Sequence, residues 1–233
     1  MENISLVVPV YNEESTIEAF LEYHQKHFTW EEIILVDGGS EDQTISRIQH
    51  VAEDVEVLQL EEPGRGRQLS RGVAQAQGNW ILMLHADTRL SKDFDFNEFH
   101  PDRDWGWFDC RLNDAGWRFQ LISRAISIRS AIFCTPTGDQ AIWVKRDLLE
   151  RIGGIPEAPI MEDVLLVKAL QKVEPGQRIR SPVTTSARKW KQEGVFRVIF
   201  LMWFFRLSHM LGASPQWIYR CYYGWFPDDD PGG

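Results

Sequence analysis

The sequence predicts an α/β fold: a mainly parallel sheet flanked by helices, followed by a helical element towards the end of the chain. Three observations predict it. Short apolar runs recur at residues 4–10, 32–36, 55–58 and 81–84. They are of strand length, and the longer ones lack polar alternation, so they read as strands buried on both faces. Stretches with helical spacing lie between them, and β-α-β alternation implies parallel strands with helices packed above and below. Finally, the runs lead straight into polar or glycine-bearing motifs. That collects chemistry at the carboxyl edge of the sheet, where ligands bind in open α/β folds.

Taken in order, the first strand carries Pro9 near its end, where a missing N–H costs little. Tyr11-Asn12-Glu13-Glu14 follows, and its acids suit the start of a helix. That helix places Ile17, Phe20, Leu21 and His24 on one face and ends before Thr29. The second strand ends in Asp37-Gly38-Gly39-Ser40, whose glycines permit a tight turn or close approach to a ligand. Ser40 or Asp42 can cap the next helix, which runs through Arg47.

Pro63-Gly64-Arg65-Gly66-Arg67-Gln68 opens a helix through Ala76. It reads as an anion site at a helix start or as a glycine turn with solvated arginines. It lacks the Lys-Ser/Thr of a P-loop. The strand 81–84 then delivers His85-Ala86-Asp87. A carboxylate there suits a hard divalent cation holding a diphosphate, or simply a turn or helix cap.

Residues 91–103 are polar and read as surface helix and loop, followed by a strand at 105–112. The helix 117–133 is expected to turn Leu121, Ile122, Ala125, Ile128 and Ile132 to the core. Thr137-Gly138-Asp139-Gln140 leads to a strand at 141–144. Asp147 begins a short helix that stops at Gly153-Gly154. Met161-Glu162-Asp163 opens a helix through Leu170, and a strand is expected within 181–188. The long helix 194–212 is apolar all round at its centre. That favours a core helix or dimer contact over an interfacial helix at 195–211.

The bulk numbers narrow the function. The 233 residues, 43% of them hydrophobic, suffice for one large domain, here 1–223 with a frayed tail at 224–233. We divide it into a ligand-binding half at about 1–100, a second half at 101–190 and a helical region at 191–223. A net charge of -9 argues against nucleic acid as partner. Three scattered cysteines argue against a disulfide framework or zinc cage. With neither a signal peptide nor a membrane-length apolar run apparent, a cytoplasmic location is expected.

Val8-Pro9-Val10-Tyr11-Asn12-Glu13-Glu14, Asp37-Gly38-Gly39-Ser40 and His85-Ala86-Asp87, in that order, resemble the start of a glycosyltransferase family 2 enzyme of the GT-A fold. Met161-Glu162-Asp163 resembles that family's acceptor-side acid pair, and Arg188-Lys189-Trp190 its C-terminal Arg/Trp element. More narrowly, the motifs at 64–68, 84–88, 137–140 and 185–188 are similar to a bacterial subgroup, some of whose members are linked with arsenosugar biosynthesis.

The resemblance implies an inverting transferase that moves a sugar from a UDP- or GDP-sugar to an acceptor hydroxyl, in arsenosugar or cell-surface glycan or glycolipid synthesis. Pro9, Tyr11 and Glu13 would line the nucleotide pocket, and Asp37, with Gly38 and Ser40, would meet base or ribose. Arg67 would approach the diphosphate, and Asp87 would bind Mn²⁺ or Mg²⁺. Asp163 would be the general base. Gly138, Asp139, Gln140, Glu162, Arg188 and Trp190 would form the acceptor side. His85 stands where the family usually has Asp; it is either a second metal ligand, favouring a transition metal, or a ribose contact beside Ala86.

Two other classes compete. A binding module without catalysis would keep Asp37 and Asp87 but need no Asp163. A sugar nucleotidyltransferase would want a glycine-rich basic loop after the first strand, where this chain has Tyr11-Asn12-Glu13-Glu14.

Overall fold

The computed structural model describes residues 3–52, 55–99 and 103–225. The rest of the expected tail, 226–233, lies outside the described residues, as do 100–102 within the expected polar stretch. The strands are β1 (Ile4–Val10), β2 (Glu32–Asp37), β3 (Glu56–Gln59), β4 (Trp80–Met83), β5 (Trp105–Leu112), β6 (Ile142–Lys145) and β7 (Gln177–Thr185). The helices are α1 (Ile17–His27), α2 (Thr44–Val51), α3 (Arg65–Gln75), α4 (Trp117–Phe133), α5 (Arg146–Ile152), α6 (Glu162–Gln171), α7 (Arg188–Glu193), α8 (Val195–Met210) and α9 (Pro215–Trp225).

The strands form one sheet in the order β3-β2-β1-β4-β6-β5-β7. All pairs are parallel except β4 with β6 and β6 with β5. β1 alternates between the two faces. Ile4, Leu6, Val8 and Val10 pack with Ile17, Phe20 and Leu21 of α1 and Ile48 of α2. Val7 packs on the other side with Leu69 of α3 and Leu166 and Leu170 of α6. This period of two is what a strand covered on both faces requires. Because β1, β2 and β4 run the same way, their carboxyl ends open on one edge.

Three expectations change. β7 begins at Gln177, before the expected 181. It pairs with β5 through Gly106↔Gln177 at one end and Leu112↔Thr185 at the other, with a register irregularity between Phe108 and Asp109.

α4 does not bury its apolar stripe. Leu121, Ile128 and Ile132 are exposed, and the buried face is Ile122, Ser123, Ser127 and Ser130. β6 pairs with β5 only over Trp105–Trp107. Beyond that point, backbone donors of β5 need other acceptors, and α4 supplies them. Cys110 N donates to Ser127 Oγ at 3.0 Å, and Leu112 N donates to Ser123 Oγ at 2.9 Å. Satisfying buried N–H groups outweighs hiding aliphatic side chains here.

α8 is not a core helix either. Val198, Leu201 and Phe205 are buried, while Phe196, Phe200, Trp203, Leu207 and Met210 are exposed. Among the described residues, no helix is long and apolar enough to cross a membrane.

Candidate active site

The carboxyl ends of β1 and β4 form the floor of a cleft of about 580 Å³. β1 supplies Pro9 and Val10, and the loop after it supplies Tyr11, Asn12 and Glu13. β4 leads into His85, Ala86 and Asp87, and the start of α3 brings Arg65. The opposite wall carries Gly138, Asp139, Glu162 and Asp163, then Arg188 and Trp190, then Phe205 and Arg206 of α8 and Tyr223 of α9.

Gln68, not singled out from the sequence, joins the two strand ends. Its Nε2 donates to the Val10 carbonyl at 2.9 Å and to the Val36 carbonyl at 2.8 Å. Asp37 closes the neighbouring turn. Its carboxylate accepts from Gly39 N, Ser40 N and Ser40 Oγ. Gly39 sits at φ 85°, where a side chain would be strained. Ser40 Oγ also accepts from Asn12 N at 2.9 Å, tying this turn to the loop after β1. Asp37, Gly38 and Ser40 therefore shape that corner and are not themselves cleft-lining.

Asp87 is held by two hydroxyls, Thr88 Oγ1 at 3.1 Å and Thr185 Oγ1 at 3.3 Å. Thr185 is the last residue of β7, so a distant strand end orients this carboxylate. The motif at 185–188 was the only hint of it in the sequence. His85 turns to the other wall: its Nδ1 lies 3.3 Å from Asp139 Oδ1. A Cβ on Gly138 would stand 2.7 Å from His85 Nε2, so the ring is pressed against that glycine. Burial pushes Asp139 upwards, but the His85 hydrogen bond and the charges of His85, Arg65 and Lys189 prevail and hold its pKa down at about 2.

Asp163 opens α6. Its Oδ2 accepts from Gly138 N at 2.9 Å and its Oδ1 from Val164 N at 2.7 Å. Glu162 is buried, 3.8 Å from Arg65 Nη1. Burial raises its pKa, with Asp163 adding to the rise and Arg65 opposing it. Met161, just before, sits at φ 62°. A non-glycine residue in that region is strained, and here it brings the two acids to the cleft. Glu13 is likewise raised, by burial first, while its hydrogen bond from Thr16 and the charge of Arg188 oppose the rise. Its carboxylate accepts from Thr16 Oγ1 at 2.5 Å and lies 3.9 Å from Arg188 Nη2.

Two further expected site residues lie outside the cleft lining. Arg67 turns to Glu62 at 3.1 Å and does not line the cleft; Arg65, two residues earlier, does. One helical turn cannot aim positions two apart in the same direction. Gln140 is fully buried, accepting from Ser130 Oγ at 2.5 Å and donating to the Phe108 carbonyl at 3.1 Å. It braces α4 against β5 and has no free face for an acceptor.

No described group of three or more His, Cys, Asp or Glu side chains is arranged to hold a metal ion. His85 Nδ1 is engaged by Asp139, so Asp87 is the carboxylate left for a cation. One carboxylate completed by substrate phosphates and water is an ordinary way to hold Mg²⁺, and its oxygen donors suit Mn²⁺ too.

Residues 5–98 match the family model described as glycosyl transferase family 2. A dolichyl-phosphate beta-glucosyltransferase of Trichomonas vaginalis is 34% identical over 104 residues, 38% of this chain and 32% of that protein. The Mus musculus dolichyl-phosphate beta-glucosyltransferase is 38% identical over 103 residues, 37% of this chain and 31% of its own length. The matched stretch thus spans about a third of these curated relatives. Among solved structures, a mannosyltransferase from Pyrobaculum calidifontis in complex with GDP-Man and Mn²⁺ superposes with a TM-score of 0.59 at 23% identity, covering 79% of this chain and 56% of that one. Glucosyl-3-phosphoglycerate synthase from Mycobacterium tuberculosis, with Mn²⁺, UDP and glucosyl-3-phosphoglycerate, gives 0.56 at 20% identity, covering 78% and 70%. The fold is that of the GT-A glycosyltransferases.

Proposed function

We propose that this chain is an inverting glycosyltransferase that moves a sugar from a UDP- or GDP-sugar to an acceptor hydroxyl. The observation that carries the reading is the convergence of Asp87 and Asp163 from opposite walls on one cleft at the carboxyl edge of a parallel sheet. In this reading, the loop after β1 holds the nucleotide, with Tyr11 and Glu13 against it. Arg65 and Arg188 supply positive charge to the cleft that receives the diphosphate. Asp163, fixed by two backbone N–H groups, takes the proton of the acceptor hydroxyl as the new bond forms. A divalent ion at Asp87 would neutralise charge on the departing diphosphate. We read 1–223 as a single domain, and we keep the bacterial subgroup linked with arsenosugar biosynthesis as the narrower assignment, on the motifs 64–68, 84–88, 137–140 and 185–188.

A second feature bears on where the reaction occurs. α4, α8 and α9 contain no Asp or Glu, yet carry the exposed Arg118, Arg124, Arg197 and Arg220. Trp117, Leu121, Phe196, Phe200, Trp203 and Met210 are exposed on α4 and α8. Basic, aromatic-rich helices without acids suit the surface of an anionic membrane. We read the protein as cytoplasmic and membrane-peripheral, with residues 195–211 in contact with lipid.

A thermal-shift panel of nucleotide sugars, each with and without Mn²⁺ or Mg²⁺, tests the donor site. A donor at 100 times its Kd should stabilise the fold by about 2.7 kcal/mol. A metal-dependent shift with one nucleotide class is expected. No shift with any donor, in folded protein, would remove the reading. Flotation with anionic liposomes tests the second point, and protein that stays at the bottom of the gradient refutes it.

A further inference from the structure

We propose that Arg206, backed by Arg129, forms an anion subsite on the acceptor wall of the cleft and selects acceptors that carry a phosphate ester. Two arginines that line the cleft have a matching acid: Arg65 faces Glu162 and Arg188 faces Glu13. Arg206 breaks this pattern. It lines the cleft between the apolar side chains of α8, half-buried, and among the described residues it makes neither a hydrogen bond nor an ion pair.

Arg129 approaches from α4, also half-buried. Its Nη2 donates to three neutral acceptors: Ser130 Oγ at 3.0 Å, the Thr135 carbonyl at 3.2 Å and Gln140 Oε1 at 3.5 Å. Its Nε is buried with no hydrogen-bond partner. Burial and then the like charge of Arg206 hold its pKa down at about 10. Both guanidinium groups are thus half out of water, and neither is bonded to a carboxylate.

A half-buried charge without a partner is costly. A bound anion removes that cost, and arginine's fork matches phosphate oxygens two at a time. The location gives the subsite its meaning. Arg206 lines the same cleft as Asp139 and Asp163, and Asp163 accepts a hydrogen bond from Gly138 N in that lining. A phosphate ester held here brings the rest of its molecule beside Asp163. The acceptor's identity as a sugar acceptor rests on the function proposed above; the anion subsite itself does not.

The test therefore uses no donor and no metal. Binding of phenyl phosphate is measured calorimetrically to the wild-type chain, Arg151→Gln, Arg206→Gln and Arg206→Lys, each first checked for an unchanged melting midpoint. Arg151 is exposed, pairs with Asp104 and lies outside the cleft, so wild type and Arg151→Gln should bind alike. Arg206→Gln should weaken binding by about tenfold or more, the loss of a charge-assisted hydrogen bond, and Arg206→Lys should be intermediate.

A second arm separates a lipid source from a soluble one. Vesicles of phosphatidylcholine carrying either phosphatidic acid or, at matched surface charge, phosphatidylglycerol are floated with wild type and Arg206→Gln. Arg206-dependent retention on phosphatidic acid but not on phosphatidylglycerol supports the subsite with a lipid phosphate as its ligand. Arg206-dependent binding of phenyl phosphate without that retention supports it with a soluble one. If neither ligand distinguishes Arg206→Gln from wild type, the subsite is refuted. Because UDP or GDP binding with metal is measured separately, failure here and failure of the donor site are told apart.

Discussion

Replacing Asp163 by Asn tests the proposed chemistry most directly, and the structure sets the size of the effect. The side chain accepts two backbone N–H bonds, from Gly138 and Val164. Asn has one oxygen, so its amide N–H₂ must face one of those donors, and one bond is lost. A hydrogen bond to a charged group is worth about 1.5–3 kcal/mol, so a melting point lower by several degrees is expected, with the fold retained. The catalytic loss is larger. A positioned general base contributes about 10²–10⁴-fold, which is roughly 3–5 kcal/mol of barrier.

The assay pairs single-turnover transfer with donor affinity measured by calorimetry. We expect transfer to fall by at least about a hundredfold while donor Kd changes little, because Asp163 lies on the wall opposite the nucleotide loop. Turnover within a few-fold of wild type would refute Asp163 as base. An equal loss of donor affinity would show that it binds donor rather than acceptor.

Other outcomes follow from the same geometry. Asp87→Ala should abolish the metal dependence of donor binding, read as loss of the extra thermal shift given by Mn²⁺. Gly138→Ala would place a Cβ 2.7 Å from His85 Nε2; it should displace the ring from Asp139 and lower activity with little change in donor Kd. Gly106→Ala would drive a Cβ into the Gln177 carbonyl, between β5 and β7, where backbone cannot yield. A destabilisation of about 1–3 kcal/mol or more, measured by urea unfolding, is expected. Asp139 has its folded pKa lowered from 3.8 to about 2. It therefore stabilises the fold above about pH 4 and loses that contribution as pH falls towards 2. Asp139→Asn should flatten this acid limb of the melting curve.

The order of strands and helices was legible because burial on both faces demands continuous apolar runs. The runs at 4–10, 32–36 and 81–84 agree with β1, β2 and β4 to within a residue or two. The polar groups after them were legible for the same reason: where the apolar run stops, the sheet edge begins. That edge pointed to His85 and Asp87, and the resemblance to family 2 glycosyltransferases added Tyr11, Glu13, Glu162 and Asp163; all six line one cleft.

Side-chain direction was not legible, because it depends on partners far away in the chain. Arg65 rather than Arg67 reaches the cleft because Glu162, on a distant helix, waits for it, while Glu62 draws Arg67 outward. Asp87 is aimed by Thr185, 98 positions later. α4 turns its serines inward because β5 has backbone N–H groups to satisfy, a need created only by where β6 ends. α8 read as core from its uniform apolar character, yet the tertiary structure leaves one side of it open. Periodicity records which faces of an element are apolar. Only the assembled fold decides which of them finds a neighbour, since hydrogen bonds and ion pairs between distant segments set the final orientation.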